Sequence, residues 1–569
     1  MRSWTNTLRP KKMRSPHHPS RFSAALFMML CGAGLILLLG AQTLQAQQAT
    51  SPTGIKPPQA SKAGEPSTNQ KSAPPRTTSS NMSGGKPSNK AMNNSTSSVL
   101  QPNRSPLVTF RLLFMTGSAS DPKGREGLAS LTAAMLAEGG SRAMPYDKIV
   151  EATYPMGLSS PLNWQVDKEM IVFSGTTHID NLEKYYSLIS QMLLDPGFRE
   201  DDFKRLKADA INYLKVSLRG GNDEELGKEV LYQMIYEGQP YGHQNRGRVS
   251  ALEAMTLEDV RGFYRQNFTQ ANMLLGLAGG YPSEFAQRVE KDFARLPKGK
   301  ANRTKFSTPQ LESGTKIEII KRETRSTAIS LGFPIKVTRA SKDWPALALV
   351  ASYFGQHRSS NSYLYGRLRE LRGLNYGDYA YIEYFPRGMF QFEPDPNLGR
   401  QQQIFQIWIR PVEPKNGHFT LRAALYEYDK LVREGMSQET FEATREFLSK
   451  YVNVLTQTQN AQLGYALDSR YYGIPDFNNY MREQLAKLTL EDVNRVIRQQ
   501  LKSDSMRIAI ITKDAEALRD AISSNRPSPI TYNSPKPKEI TDEDKLIEAY
   551  TIKVKPENVT IIPVESVFQ

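Results

Sequence analysis

The chain has 569 residues, of which 39% are hydrophobic and 23% charged, so it is long enough for two or three folded cores. Thirteen Lys/Arg against one acidic residue in residues 1–104 supply +12 of the formal net charge of +15, which leaves only +3 for the other 465 residues. Because those residues show no interleaving of basic and aromatic side chains, the charge does not indicate a nucleic-acid-binding protein.

Residues 1–46 have the layout of a secretory signal peptide. A basic segment precedes an apolar run over residues 22–40, and the small residue Ala46 precedes a possible cleavage point. Since the run approaches the ~20 residues that span a bilayer, an uncleaved membrane anchor is the alternative. Both interpretations predict export to the periplasm or cell envelope, with membrane contact only through the leader. Cys31, the only cysteine, lies in the leader, so a processed chain would lack disulfides and thiolate ligands.

Residues 47–104 are predicted to form a flexible Ser/Pro/Asn/Lys-rich linker, because they contain too few large apolar residues to offset the entropy of ordering. The first half, 105–297, opens with a strand, and Asp121-Pro122 is expected to start the helix that ends at Gly139-Gly140. The predicted strands are 107–114, 159–165, 170–178 and 272–278, and the predicted helices are 127–140, 146–154, 181–194, 200–218, 285–295 and two within 250–268.

Residues 298–315 are polar and are predicted to link two halves, because the pattern of elements restarts after them. The second half, 316–515, has predicted strands at 316–321, 327–333 and 405–409 and predicted helices at 344–354, 421–433 and 438–456. A C-terminal extension, 516–569, contains a Pro-rich piece and a last strand-like run at 559–563.

The two halves share a local sequence. Thr256-Leu-Glu-Asp-Val recurs from Thr489, and each copy precedes a helix and then an apolar strand. The same neighbours at similar offsets indicate an internal duplication. We therefore predict an α+β fold with two tandem homologous halves, each a mixed or antiparallel sheet packed with helices.

Small residues occupy one stripe of the opening helix. Ser130, Ala133 and Ala134 stand at the spacing with which a helix aims two metal ligands and a base at one point. They supply only a hydroxyl and two methyl groups. The histidines after the linker show no ligand spacing and are predicted to be ordinary surface or hydrogen-bonded residues: His178, His243, His357 and His418.

Four stretches carry a family resemblance: 117–129, 192–198 with the long helix after it, 256–280 and 368–376. Over about residues 99–565 the chain resembles the insulinase/pitrilysin family of zinc peptidases (inverzincins, similar to processing peptidases), in the bacterial form with two homologous halves per chain. The resemblance implies that the halves form a clamshell-like chamber for a peptide substrate.

In active members of that family the opening helix carries His-x-x-Glu-His, with two zinc ligands and the general base. The resemblance puts Ser130 at the first histidine, Ala133 at the glutamate and Ala134 at the second histidine. The family's third ligand is a glutamate on the long helix, where Asp209 is the only acid within residues 204–217 and sits early for the role. The resemblance thus implies a degenerate zinc motif, with no metal in this chain and zinc only in a partner.

Active members also use an arginine and a tyrosine, seven residues apart, to hold the substrate backbone and stabilise the oxyanion. Arg369 and Tyr376 match this pair at this spacing. Both side chains are donors suited to a developing negative oxygen. The structural alternative places Arg369 in an ion pair and Tyr376 in the sheet.

Loss of the ligands with retention of the pair predicts a non-catalytic subunit that is inactive alone and pairs with a homologous zinc-bearing peptidase. The alternative is a peptide-binding or scaffold protein of the cell envelope without a part in catalysis. An independent peptidase with other ligands is the third hypothesis, but the sequence shows no such ligand cluster.

Overall fold

The computed structural model describes residues 97–569, except for 303, 357, 358, 360, 386–394 and 503. The predicted signal peptide, Cys31, His357 and most of the predicted linker lie outside the described residues. The chain divides into units 1–89 and 90–569, and the fold given below is that of the second unit. Within the described residues, no helix combines the length and the apolar character needed to cross a membrane.

The described elements are strands and helices that follow one another in short runs. Strands β1–β11 are Ser97–Pro102, Leu107–Phe114, Asn163–Val166, Ile171–His178, Met273–Gly279, Thr315–Lys321, Thr327–Ile335, Gly377–Tyr381, Gln403–Val412, Arg507–Thr512 and Val554–Pro563. Helices α1–α16 are Leu128–Glu138, Tyr146–Thr153, Leu182–Leu194, Glu200–Asn212, Asp223–Ile235, Val249–Ala254, Leu257–Asn267, Ser283–Phe293, Trp344–Gly355, Gly417–Glu434, Gln438–Leu455, Gln459–Tyr472, Phe477–Lys487, Leu490–Val496, Ala515–Ser523 and Lys538–Glu548. Three π-helical stretches, Tyr213–Gly221, Tyr365–Glu370 and Ile497–Leu501, complete the helical segments used below.

Two sheets repeat one topology, as the predicted duplication requires. The first has the order β1-β5-β2-β4-β3, and the second has β11-β6-β10-β7-β9-β8. In each, the strand that opens the half runs parallel to the last strand of the half, β1 with β5 and β6 with β10, and the other repeated pairs are antiparallel. The prediction of two homologous α+β halves is confirmed, with β11 added to the second sheet.

The repeated Thr-Leu-Glu-Asp-Val sequence starts the same helix in both halves. The hydroxyls of Thr256 and Thr489 each accept a hydrogen bond of 3.2 Å from the backbone N–H of the aspartate three residues later. These N-caps satisfy backbone donors that the first helical turn leaves free. Helices α7 and α14 therefore begin where the sequence repeat predicted.

Each half lends one helix to the sheet of the other half. Leu463 and Leu467 of α12 lie in the second half by sequence but pack on the first sheet with Leu113, Met170 and Leu274. In the other direction, α5 covers the second sheet, where the Tyr232 hydroxyl donates to Gln406 Oε1 of β9 at 2.9 Å. This exchange buries apolar surface between the halves.

The ends of the sheets differ from the sequence-based expectations. Ser97–Pro102, within the predicted linker, forms β1 beside β5, and the strand predicted at 159–165 occupies Asn163–Val166. Val554–Pro563 of the C-terminal extension pairs in parallel with β6.

Candidate functional site

Helix α1 carries the three positions of the degenerate motif. It begins at Leu128, within the predicted range 127–140 and not directly at Asp121-Pro122, and Gly127 before it has φ +103°, a left-handed conformation that favours glycine. Asp121 still caps the helix across the loop, because its carboxylate accepts from the backbone N–H groups of Gly127 and Ala129 at 2.7 Å each. The predicted end is confirmed at Gly139.

The three motif positions have different surroundings. Ser130 and Ala134 line a cavity of about 370 Å³, and the Ser130 hydroxyl donates to the carbonyl of Asn245 at 2.6 Å. Ala133, at the position of the general base, is fully buried in the hydrophobic core of the first half. The cavity thus keeps two of the three positions on its wall.

The long helix supplies a second wall of this cavity. Asp209 of α4, the acid that sits early for the role of third ligand, lies in the same lining as Ser130 and Ala134. Strand β3, one of the two edge strands of the first sheet, forms a third wall through Trp164, Gln165 and Val166. Tyr384 and Leu398 of the second half complete the lining of the cavity. Residues from both halves therefore surround the degenerate motif.

Two charged groups in the cavity wall contact aromatic side chains. Glu138 accepts from Trp164 Nε1 at 2.7 Å, and the guanidinium of Arg246 lies 4.1 Å from the ring centroid of Tyr213. Burial raises the pKa of Glu229 to about 7, although the positive charge of Lys168 opposes this rise. Within the described residues, no group of three His, Cys, Asp or Glu could hold a metal ion. The wall does not fit zinc, which takes about three protein ligands in catalytic sites.

Two of the described histidines lie beside an aspartate, whereas the buried His418 has no hydrogen-bond partner for its Nε2 among the described residues. His243 Nε2 lies 3.2 Å from Asp121 Oδ2, and burial lowers the pKa of this histidine. His178 is exposed beside Asp180, and burial lowers the pKa of His418 to about 4. All three lie outside the lining of the cavity.

Arg369 and Tyr376 lie together on the surface of the second half. Arg369 lies in the π-helical stretch Tyr365–Glu370, and its guanidinium carbon lies 4.9 Å from the ring centroids of both Tyr365 and Tyr376. The Tyr376 side chain is 56% exposed and directly precedes β8. In the described part of the chain, the Arg369 guanidinium makes no hydrogen bond or ion pair, contrary to the structural alternative. Neither residue lines the cavity beside α1.

A buried carboxyl lies behind this pair. Asp378 accepts from Asn375 Nδ2 at 2.8 Å, while its other oxygen has no hydrogen-bond partner among the described residues. Burial raises the pKa of Asp378 to about 7, and the charge of Arg369 acts in the opposite direction. Sequence spacing alone did not indicate this residue.

Two family models match the chain. The model described as "Insulinase (Peptidase family M16)" matches residues 98–244, and "Peptidase M16 inactive domain" matches residues 254–448. A Helicobacter pylori protein named "Non-peptidase homolog YmxG" is 20% identical over 419 residues, which cover 72% of this chain and 89% of that protein. The sequence-based family resemblance is confirmed by these matches.

Solved structures show the same fold. A peptidase M16 inactive domain from Pseudomonas fluorescens has a TM-score of 0.63 and 22% identity, and the match covers 74% of this chain and 95% of that one. The periplasmic protease PqqL from Escherichia coli has a TM-score of 0.60 and 14% identity, with 81% of this chain and 50% of PqqL covered. These identities support a shared fold alone.

Proposed function

This chain belongs to the insulinase family of peptidases, and on that premise we propose that it is the non-catalytic subunit of an exported, heterodimeric zinc peptidase. A homologous subunit holds the zinc, and this chain supplies Arg369 and Tyr376 to the peptide substrate. This chain needs no cofactor of its own in the proposed complex.

One observation carries the proposal: the guanidinium of Arg369, with no hydrogen bond or ion pair among the described residues, lies 4.9 Å from the ring centroid of the exposed Tyr376. A guanidinium and a phenol at one surface are two donors that can hold a substrate carbonyl and the oxyanion formed from it. Because the pair does not line the cavity beside α1, its position favours a substrate held on another subunit.

The degenerate zinc motif supports the assignment of zinc to a partner subunit and of substrate binding to this chain. Ser130 and Ala134 face the cavity with no imidazole, and Ala133 is closed into the core, so the zinc must come with a partner. The names of relatives, a non-peptidase homologue and an inactive domain, agree with a chain that is inactive alone. Export rests on the predicted leader and on a structural neighbour described as periplasmic.

Reconstitution with a zinc-bearing paralogue from the same source tests the proposal. We expect peptide cleavage only from the mixture, and zinc only in the paralogue. Arg369→Ala should lower kcat/KM by about 10²–10³-fold, the loss seen when one oxyanion donor is removed. Tyr376→Phe keeps the ring and removes the phenol donor, so it should lower kcat/KM by a similar factor.

Another exposed arginine and another exposed tyrosine of this chain provide matched controls. Arg433 makes only an exposed pair with Glu434, and Tyr154 is 78% exposed, so Arg433→Ala and Tyr154→Phe should leave cleavage unchanged. Full activity of the Arg369→Ala mixture, or one zinc per molecule of this chain alone, would contradict the proposal.

The edge strand in the cavity wall favours a second candidate function, that of a peptide-binding protein without a catalytic role. Strand β3 is an edge strand, and its residues line the cavity, so an extended peptide can pair with its free side. This function predicts that Trp164→Ala weakens peptide binding measured by calorimetry, while Arg369→Ala leaves both binding and any partner's activity unchanged.

A further inference from the structure

Arg372 fastens the loop between Arg369 and Tyr376 to the C-terminal extension. Its side chain is fully buried, and it donates from Nε to Asp544 Oδ1 at 2.8 Å and from Nη2 to Glu543 Oε2 at 2.6 Å. Both acids belong to α16. Buried arginine–carboxylate contacts of this kind fix the relative positions of the two groups, because the planar guanidinium donates hydrogen bonds in only a few directions.

The same guanidinium also holds the turn before Arg369. Its Nη1 donates to the backbone carbonyl of Arg367 at 3.0 Å, so one side chain joins α16 to the π-helical turn. Arg367 in turn pairs with Glu543 and donates from Nε to Glu427 Oε1 at 2.7 Å. The α16 acids therefore contact the backbone turn through two arginines.

Two of these acids are held through both carboxylate oxygens. Asp544 Oδ2 accepts from the Tyr532 hydroxyl at 2.8 Å, and Glu427 Oε2 accepts from the Tyr363 hydroxyl at 2.8 Å. Glu543 is held through one oxygen, because Arg367 and Arg372 both donate to its Oε2. The network is therefore a fixed support for Arg372.

The loop is short enough to transmit any displacement of Arg372. Gly373 has φ +69°, its N–H donates to the carbonyl of Arg369 at 2.7 Å, and the N–H of Leu374 donates to the carbonyl of Leu368 at 3.0 Å. Arg372 thus lies inside a tight turn that begins at Arg369 and leads directly to Tyr376. A displacement of the Arg372 side chain would therefore displace the turn that orients Arg369 and Tyr376.

We propose that Arg372, Glu543 and Asp544 are positioning residues, through which α16 of the C-terminal extension fixes the Arg369–Tyr376 pair for binding to the peptide on the partner subunit. This inference rests on the proposed function. It assigns the extension a role in substrate positioning beyond the strand that it adds to the second sheet. Helix α16 offers an internal control, because Lys538, Asp542 and Lys545 form only exposed ion pairs.

The test compares Glu543→Gln, Asp544→Asn and the double variant with Asp542→Asn in the full chain. These substitutions keep side-chain size and remove charge. With the zinc-bearing paralogue, the double variant should lower kcat by on the order of 10- to 100-fold, as misplacement of a positioning group does, with KM changed far less. Asp542→Asn should change neither.

Hydrogen–deuterium exchange on this chain alone gives a second measurement. The double variant should speed exchange over residues 371–376 and leave the core strands of the second sheet unchanged. Arg372→Lys should retain more kcat than Arg372→Met, since a lysine keeps one of the charged contacts. A merely structural role would produce no such difference at equal thermal stability.

Unchanged kcat and unchanged exchange in the double variant would overturn the inference, and so would a loss of kcat that only follows a loss of folded protein. Failure of the proposed function has a different signature: Arg369→Ala itself would leave cleavage intact. In that case the exchange measurement still decides whether α16 fixes the loop.

Discussion

Ala133 and Ala134 are neighbours on one helix and differ in their access to the cavity. Both belong to the first core, but Ala134 also lines the cavity, whereas Ala133 has no exposed surface. The position of the general base has therefore been absorbed into the core. A zinc site could not be restored at α1 by replacing side chains one at a time. A carboxylate at position 133 would lie in the apolar core, without access to water.

This difference predicts that the same substitution lowers the free energy of unfolding by unequal amounts at the two positions. Ala133→Glu buries an unpaired charge and should lower the free energy of unfolding by about 3 kcal/mol or more. Ala134→Glu, the matched control, can extend into the cavity and should cost less than half as much. Urea denaturation of both variants measures the difference, and equal losses would contradict the placement of Ala133 in the core.

Asp378 predicts a pH-dependent stability. Its pKa is raised by burial to about 7, above the ~3.9 of an unfolded aspartate, so the folded state binds the proton more tightly. Ionisation therefore destabilises the fold as the pH rises between these two pKa values. Asp378→Asn removes this loss, and its stability relative to the parent should improve by more than about 1 kcal/mol from about pH 5 to about pH 8.

Urea denaturation at the two pH values checks this expectation. Asp520→Asn is the control, because the Asp520 side chain is 59% exposed beside Arg519 and a screened surface charge contributes little. If the curves for Asp378→Asn and the parent keep the same separation at both pH values, the raised pKa is contradicted.

Among the elements, those with a single apolar stripe or a local cap were predictable from the sequence. The core strands β2 and β5 and the capped helices α7 and α14 lie where the pattern placed them. Helix α12 was not predicted, because it packs on the sheet of the other half as well as against its own neighbours. Two apolar contacts on different sides leave no single stripe in the sequence.

The same reasoning applies to the candidate site. Arg369 and Tyr376 lie close in the chain, so their spacing could indicate a pair, and the structure places them together. Arg372 and its partners Glu543 and Asp544 are separated by 171 and 172 residues. No local pattern reports a contact over that distance, and an arginine beside a leucine and a glycine carries no signal of burial.

Helix α12, which packs on the sheet of the other half, gives a prediction about the stability of the fold. Leu467 of α12 has no exposed surface and packs on the first sheet, so Leu467→Ala should lower the free energy of unfolding by about 2–5 kcal/mol. Leu546→Ala on α16 is the matched control, because that side chain is 60% exposed and should change stability by less than about 0.5 kcal/mol. Chemical denaturation compares them, and similar small losses would contradict the packing of α12.

Across the described molecule, the contacts that tie the halves together include those of α5, of α12 and of the residues after β11. Strand β11 belongs to the second sheet, but the chain then returns to the first half. There the carbonyl of Val567 accepts from Arg219 Nε at 2.6 Å, and the carbonyl of Phe568 accepts from the N–H of Val249 at 3.0 Å. The halves are thus expected to unfold as one cooperative unit rather than as two independent domains.

Phe568 tests this coupling. Its side chain is 1% exposed and lies in the first core, so Phe568→Ala should lower the free energy of unfolding by about 3–5 kcal/mol. Tyr154→Ala, which removes an aromatic ring that is 78% exposed, is the control and should be nearly neutral. Because the residue joins the second sheet to the first half, the substitution should shift a single transition seen alike by tryptophan fluorescence and circular dichroism. Two separate transitions in the parent, of which Phe568→Ala moves only one, would show instead that the halves fold independently.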